Sequence, residues 1–480
     1  MNTIVKNDTI EFSTIKRNNV LSKMLIFLVL EVTSFLSLCA CLLSDFMLDE
    51  YRYMYLLPAS FLLSNSFLFF KVVVGNLMTQ LPKCIVIVLL FLRNVVTPWV
   101  MLTDSFQSVI GLASYQDATH ASILIAYETL ILFLVIAFYR GNLLKMRISF
   151  DLCFKNKIVV YKVLMYGSVF ICISALIFID EFRTQYYTIF TNDITHLVKE
   201  KANYSSGSLL RILATGGTVL MGAVRLVLPS VLIYIIAKKD TLLRLFLCVL
   251  MVFVQCLFMN DSNAYILMLM FSQLLFIYYL FPCYRNLIEI YTTIIVVGFF
   301  ILLYINRFAL DHYGTSISRM LQAYIPSIAN TASLIKMDSN FNFLQIFTDI
   351  FQAIPFKNFI WGSIEEVEST TMLWSQFNDV KGQIISTVGE GYFYFGSFLS
   401  PILSCLIIMV SIDIYGKIHT TDNALLLAVY LYFAVYCAVA PICYNFEIFM
   451  QCVLNRLIFM LVIARYSPYS MKVLFEKGSL

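Results

Sequence analysis

Long apolar runs recur about a dozen times along this chain, and they restrict it to one kind of fold. An α-helix needs about 20 mainly apolar residues to cross the hydrocarbon core of a bilayer. Such runs occupy 24–43, 54–74, 84–102, 121–139, 159–180, 209–237, 241–258, 264–280, 291–306, 392–415, 423–439 and 446–463. Only 13% of the 480 residues are charged and 60% are hydrophobic. A soluble domain typically carries about twice that charge, so lipid must cover the surplus apolar surface. The pattern predicts an all-α, polytopic transmembrane helix bundle of about 12 spans, forming a single transmembrane domain over 1–480.

The cationic residues give the bundle an orientation. Lys6, Lys16, Arg17 and Lys23 precede the first span, and Arg140, Lys145, Arg147, Lys155 and Lys157 follow the fourth. Lys238 and Lys239 follow the sixth, and Arg465, Lys472 and Lys477 follow the last. With twelve spans these fall on one side, whereas the opposite connection from Asp104 to His120 has no Lys or Arg. The positive-inside rule then predicts both termini inside, N-in/C-in. The first apolar stretch, about 20 residues, exceeds a signal-peptide core and reads as a retained anchor. Net charge of +4 gives no reason to expect a nucleic-acid partner.

Two outer connections are long: 181–208, and the stretch 307–391 between spans 9 and 10. Connections of the second length are usually functional. Within it, Met320-Leu321, Ile328, Leu334-Ile335, Phe343-Leu344, Ile346-Phe347 and Ile350-Phe351 recur at helical spacing, punctuated by Pro326 and Pro355. They predict short amphipathic helices lying on the membrane or capping a cavity. The 12 cysteines lie nearly all in spans or on the inner side, with no CxxC and only four histidines. Neither a disulfide framework nor a structural metal is expected.

Charges inside spans are costly and mark candidate sites. They are Glu31, Arg93, Glu128, Arg225 and Arg456. Glu31, Arg93 and Glu128 fit structural pairing inside the bundle. Arg225 lies deep in the sixth span, below Gly216-Gly217, with Arg211 at its outer end. The glycine pair allows that span to be tilted or broken, and two cations along it suit an anionic ligand. Arg307, His312, Tyr313 and Arg319 repeat the cationic pattern at the start of the long loop. The loop returns through Gly389-Glu390-Gly391-Tyr392-Phe393-Tyr394-Phe395-Gly396, where Glu390 could act as a general base or bind a sugar hydroxyl. Equally, the stretch reads as a turn entering an aromatic belt. Trp361 and Trp374, with Glu365, Glu366 and Glu368 between them, read as packing residues or a sugar-stacking platform. The chain has no P-loop, HExxH, GxSxG or DxD motif, which removes ATP-driven pumping, zinc hydrolysis and metal–nucleotide-sugar chemistry.

Both ends inside, one long outer loop late in the chain and the G-E-G-Y-x-Y-F-G return together resemble the O-antigen and capsule repeat-unit polymerases of bacterial inner membranes. The likeness covers most of the chain as architecture. It rests in particular on Arg211, Arg225, Arg307, Arg319 and Gly389 to Gly396. Arg211 to Gly222 has the spacing of an Arg, ten residues and a Gly that some members carry in two loops; Arg307 and Arg319 lack it. The resemblance implies a glycosyltransferase of polysaccharide biosynthesis facing the periplasm, with undecaprenyl-diphosphate-linked oligosaccharides as donor and acceptor and no metal or cofactor. It implies that Arg211, Arg225 and Arg307 line the diphosphate site and that Arg319 and Tyr392 contact substrate. Glu390 or His312 would take the acceptor proton. A flippase and a chain-length regulator are the implied partners. Alternative readings are a repeat-unit flippase, an O-antigen ligase and a glycosyltransferase using a lipid-monophosphate sugar.

Overall fold

The computed structural model describes residues 5–44, 47–73, 80–104, 106, 108, 110–141, 157–179, 182–183, 187–188, 209–238, 241–259, 263–292, 294, 298, 316–337, 342–355, 368–380 and 383–470. For 5–21, 187–188, 209–211, 258–259, 263–264 and 320 the description is of backbone only. Among the described residues the fold is helical apart from one antiparallel pair of two-residue strands, β1 (Tyr187–Thr188) and β2 (Phe258–Met259).

Eight described helical segments are long and apolar enough to span a membrane, and two sharply bent pairs raise the count to ten. They begin with α1 (Val5–Leu43), α2 (Leu56–Val72), and α3 (Leu81–Phe91) continuing through a π turn into α4 (Thr97–Thr103). Then come α5 (Tyr115–Phe138), α6 (Lys157–Phe178), α7 (Leu209–Ile236), α8 (Leu242–Cys256) and α9 (Asn263–Leu280). The loop helices are α10 (Ile317–Tyr324), α11 (Ile328–Met337), α12 (Gln345–Ala353) and α13 (Thr370–Phe377). The chain ends with α14 (Thr387–Leu399), α15 (Ile402–Ile418), α16 (Ala424–Cys443), and α17 (Phe446–Cys452) joined by a second π turn to α18 (Ile458–Arg465). Phe67, Phe170 and Phe178 are 78%, 72% and 70% exposed, as lipid-facing rings are and water-facing ones rarely are. This is a multi-pass membrane protein.

The departures from the expected twelve spans have physical causes. The run at 241–258 yields α8, only 15 residues, short of a straight crossing. The run at 264–280 ends at Phe281-Pro282, where the chain turns by 110° into Pro282–Thr292. Most of 291–306 lies outside the described residues. The run at 392–415 is not one helix: α14 and α15 meet at 105°.

Of the two alternatives at Gly216-Gly217, tilted or broken, the break is excluded: α7 runs unbroken. Gly217 serves close packing instead, since a Cβ there would stand 2.7 Å from the Ala175 Cβ of α6. The short loop helices are present, but α11 is not an amphipathic surface helix. Every residue from Ile328 to Leu334 is buried, because α11 is wedged between α5 and α14. Ile328 and Ala332 meet Leu124, Ile125 and Val388 in one apolar cluster. Asp104 anchors the start of α10, its Oδ2 accepting from Ser316 Oγ (2.6 Å) and the Ser318 N–H (2.9 Å).

Candidate functional site

Two π turns interrupt membrane-spanning helices, and each carries an arginine: Arg93 in Leu92–Val96 and Arg456 in Val453–Leu457. An extra residue in a turn redirects side chains and recurs at functional positions. The two arginines have different surroundings. Arg93 is fully buried and bonds Glu128, Nη2 to Oε2 2.7 Å, the one ion pair among the described residues. Glu128 also accepts from Ser404 Oγ (2.5 Å), so this charge is compensated inside the bundle. Glu31 is likewise held, accepting from Asn65 Nδ2 (2.7 Å) and Ser66 Oγ (2.8 Å). These three charges read as structural.

Arg456 meets no acid among the described residues. Its guanidinium carbon lies 4.1 Å from the ring centroid of Tyr265 on α9, and that of Arg225 on α7 lies 6.0 Å from the same ring. The hydroxyl of Tyr265 donates to the Gly222 carbonyl (3.0 Å), which fixes the ring. Local sequence explains how Arg225 is held. Pro229 has no N–H to reach the carbonyl four residues earlier, and that carbonyl belongs to Arg225. It accepts from Gln255 Nε2 (2.5 Å) and Gln273 Nε2 (3.3 Å) instead, tying α7 to α8 and α9. Gly222 in turn makes room for the Arg456 stem, whose Cγ and Cδ would lie 2.7 and 2.8 Å from an added Cβ. Arg225 and Arg456 both approach the Tyr265 ring, which brings two cations together in a medium of low dielectric, an arrangement suited to an anionic group.

A second polar cluster surrounds α14. Ser386 caps this helix, its Oγ accepting from the Gly389 N–H (3.2 Å). Gly391 lies against the chain reversal, so a Cβ there would stand 1.9 Å from the Ser400 carbonyl oxygen. Gly396 has φ +79°, a conformation that favours glycine, and the helix breaks there. Between them Glu390 is fully buried. Its Oε2 accepts from the Phe446 N–H (2.6 Å) at the start of α17, and its Oε1 has no hydrogen-bond partner among the described residues. Asp349 of α12, also fully buried, accepts from the Thr370 N–H (2.8 Å), Thr370 Oγ1 (2.6 Å) and the Tyr394 hydroxyl. Burial pushes the Asp349 carboxyl above its usual range; hydrogen bonds from Thr370 and Tyr394 pull it back, and the Glu447 charge adds to the rise.

Glu390 is therefore not the openly approachable carboxylate its flanking glycines suggest. Those glycines serve helix packing and the chain reversal, and they enclose it. The cluster connects to the arginine site by ring contacts: Tyr394 to Phe446 (6.4 Å), Phe446 to Phe449 (6.5 Å), Phe449 to Tyr436 (6.0 Å), Tyr436 to Tyr432 (6.1 Å) and Tyr432 to Tyr265 (6.1 Å).

The other expected residues are dispersed. Arg211 and Arg225 start roughly 21 Å apart along one unbroken helix, more than a single diphosphate spans. Arg319 is half-buried on α10, its Nε without a partner among the described residues. Tyr392 is half-buried and meets His120 edge-on at 5.0 Å. Trp374 is wholly buried, with Nε1 donating to Ser333 Oγ (3.0 Å), and belongs to the packing. Arg307, His312, Tyr313, Trp361, Glu365 and Glu366 lie outside the described residues. No group of His, Cys, Asp and Glu among the described residues could hold a metal. Sequence reasoning noticed Arg456 as an intramembrane charge but did not place it with Arg225; the π turn that aims it leaves no mark in the residue pattern. No protein-family model, curated protein or solved structure matches the chain.

Proposed function

We propose that this protein is a membrane glycosyltransferase that extends a polysaccharide by transferring lipid-diphosphate-linked oligosaccharide en bloc onto a second lipid-linked unit. The observation that carries the reading is the convergence of Arg225 and Arg456 on Tyr265. In the transfer, the bond between the donor's anomeric carbon and the diphosphate oxygen breaks, and one from that carbon to an acceptor hydroxyl oxygen forms. Negative charge grows on the departing diphosphate, where two guanidinium groups can stabilise it with paired N–H donors. The hydroxyl proton passes to His312, or to Glu390 once α14 parts from Phe446. The charge pattern supports an outer side for the loop helices, and the resemblance supports the periplasmic face of a bacterial inner membrane. Arg211, Arg307, Arg319 and Tyr392 would bind the saccharide and phosphate of the same substrates.

The two sharply bent helix pairs favour a second reading, a flippase for the same lipid-linked units, since transporters build sites from discontinuous helices. One experiment separates the two. A deletion strain carrying Arg456→Ala should display single repeat units on the outer side and no long polymer, with Arg456→Lys restoring a fraction. Repeat units trapped on the inner side mean a flippase. Long polymer from Arg456→Ala and Arg225→Ala proteins present at normal level overturns the transferase reading.

A further inference from the structure

We propose a second anion site at the end of the bundle opposite the loop helices: a pocket for a phosphate group, carried by an anionic lipid headgroup or free. A cavity of about 550 Å³ opens there. It lies between the last turn of α2, the first turn of α3, the segment after α5 and the last turns of α15. Its charged lining is Lys71, Lys83, Arg140 and Asp413, with His419 at the edge. Three basic side chains against one carboxylate leave it positive. Asp413 is engaged, its Oδ1 accepting from the Tyr139 hydroxyl (2.9 Å). Gly141, at φ +80°, turns the chain so closely past Asp413 that a Cβ would stand 3.2 Å from the same oxygen.

Helix ends explain part of this charge. Lys71 and Arg140 lie at or just beyond the C-terminal ends of α2 and α5, where the helix dipole favours cations. Lys71 also rests 3.5 Å from the centroid of the Phe138 ring. Lys83 does not fit that account. It occupies the first turn of α3, where the dipole disfavours a cation, and it is half-buried with no ion pair among the described residues. A phosphate between Lys83, Lys71 and Arg140 compensates all three charges. Val72, Ala137 and Ile412 add an apolar wall, which a free ion does not need and an acyl chain does. By the charge pattern of the chain this end meets the inner leaflet, where anionic headgroups attract basic side chains.

The test uses the purified full chain in nonionic micelles, titrated with phosphatidylglycerol, phosphatidylcholine or inorganic phosphate. Melting temperature and adducts in native mass spectra are the readouts. Saturable binding of phosphatidylglycerol over phosphatidylcholine is expected. Lys83→Gln with Arg140→Gln should weaken it about twentyfold or more, at about fivefold per charge. Lys336→Gln on α11 should change nothing. Weakening confined to phosphatidylglycerol makes this a lipid site; weakening confined to inorganic phosphate makes it a site for the free ion. Both outcomes support a phosphate pocket. Unchanged affinity for both probes overturns it, as does equal binding of phosphatidylcholine and phosphatidylglycerol with no binding of inorganic phosphate. Should the double variant melt without ligand, Arg140→Gln at an exposed side chain carries the same test with an about fivefold effect.

Discussion

Gly222 lies beneath Arg456 so closely that a Cβ at that position would stand 2.7 Å from the arginine Cγ. Both atoms are near their backbones, so neither can swing aside cheaply. Gly222→Ala should push the guanidinium off the Tyr265 ring while leaving α7 helical. The expected result is a loss of polymer comparable to that of Arg456→Ala, with protein at near-normal level in the membrane. Gel ladders of surface polysaccharide beside immunoblots check it. Full-length ladders from Gly222→Ala would show that Arg456 need not hold this position.

The Arg93–Glu128 pair should behave in the opposite manner. Removing one partner of a buried ion pair leaves an uncompensated charge and costs about 3–5 kcal/mol. Glu128→Ala is therefore expected to lower stability by at least ~3 kcal/mol, measured by unfolding in mixed micelles. Arg93→Met combined with Glu128→Leu should recover most of that loss. Non-additivity is the signature; two independent, additive losses would refute the pairing.

These two arginines also show how much of the molecule was legible in its sequence. That Arg93 and Arg456 sit inside spans follows from apolar runs alone, because bilayer thickness fixes the length of a crossing helix. Their surroundings did not follow, because contacts between distant segments decide them. Arg225, Tyr265 and Arg456 are far apart in sequence, and Tyr265 is one of 29 tyrosines. The stretch Gly389 to Gly396 was legible as a special segment with two readings, an approachable carboxylate or a turn. Glycines next to a carboxylate suggested access, yet the Ser400 carbonyl and the Phe446 N–H close over it. The bend at Phe281-Pro282 was marked by proline, but an apolar run on both sides masks a turn of 110°.

The glycines of that stretch predict a ranking. Gly391→Ala puts a Cβ 1.9 Å from a backbone carbonyl, which cannot yield without undoing the reversal between α14 and α15. It should destabilise by about 3 kcal/mol or more and abolish accumulation. Gly389→Ala meets the Ser386 Oγ at 2.9 Å and Leu334 Cδ2 at 3.2 Å, both of which can shift. Its cost is the weakened cap, about 1 kcal/mol. Melting temperatures of the two variants in one detergent test the order, and equal losses would contradict it.

Asp349 should make the docking of the loop helices pH-dependent. Burial raises its carboxyl above the ordinary range, and the hydrogen bonds from Thr370 and Tyr394 offset only part of that rise. The docked state therefore binds its proton more tightly than the undocked state. The stabilisation is fully present below the ordinary aspartate pKa of about 3.9 and falls as pH rises from there to the raised docked value. Neighbouring Glu447 steepens the loss by repelling the ionised form. Amide exchange in α13, corrected for its intrinsic pH dependence, should show protection decreasing across that window. Asp349→Asn keeps an acceptor for the Thr370 N–H and removes the proton, so its profile should be flat. A wild-type profile as flat as that of the variant would mean that Asp349 carries no proton in the docked state.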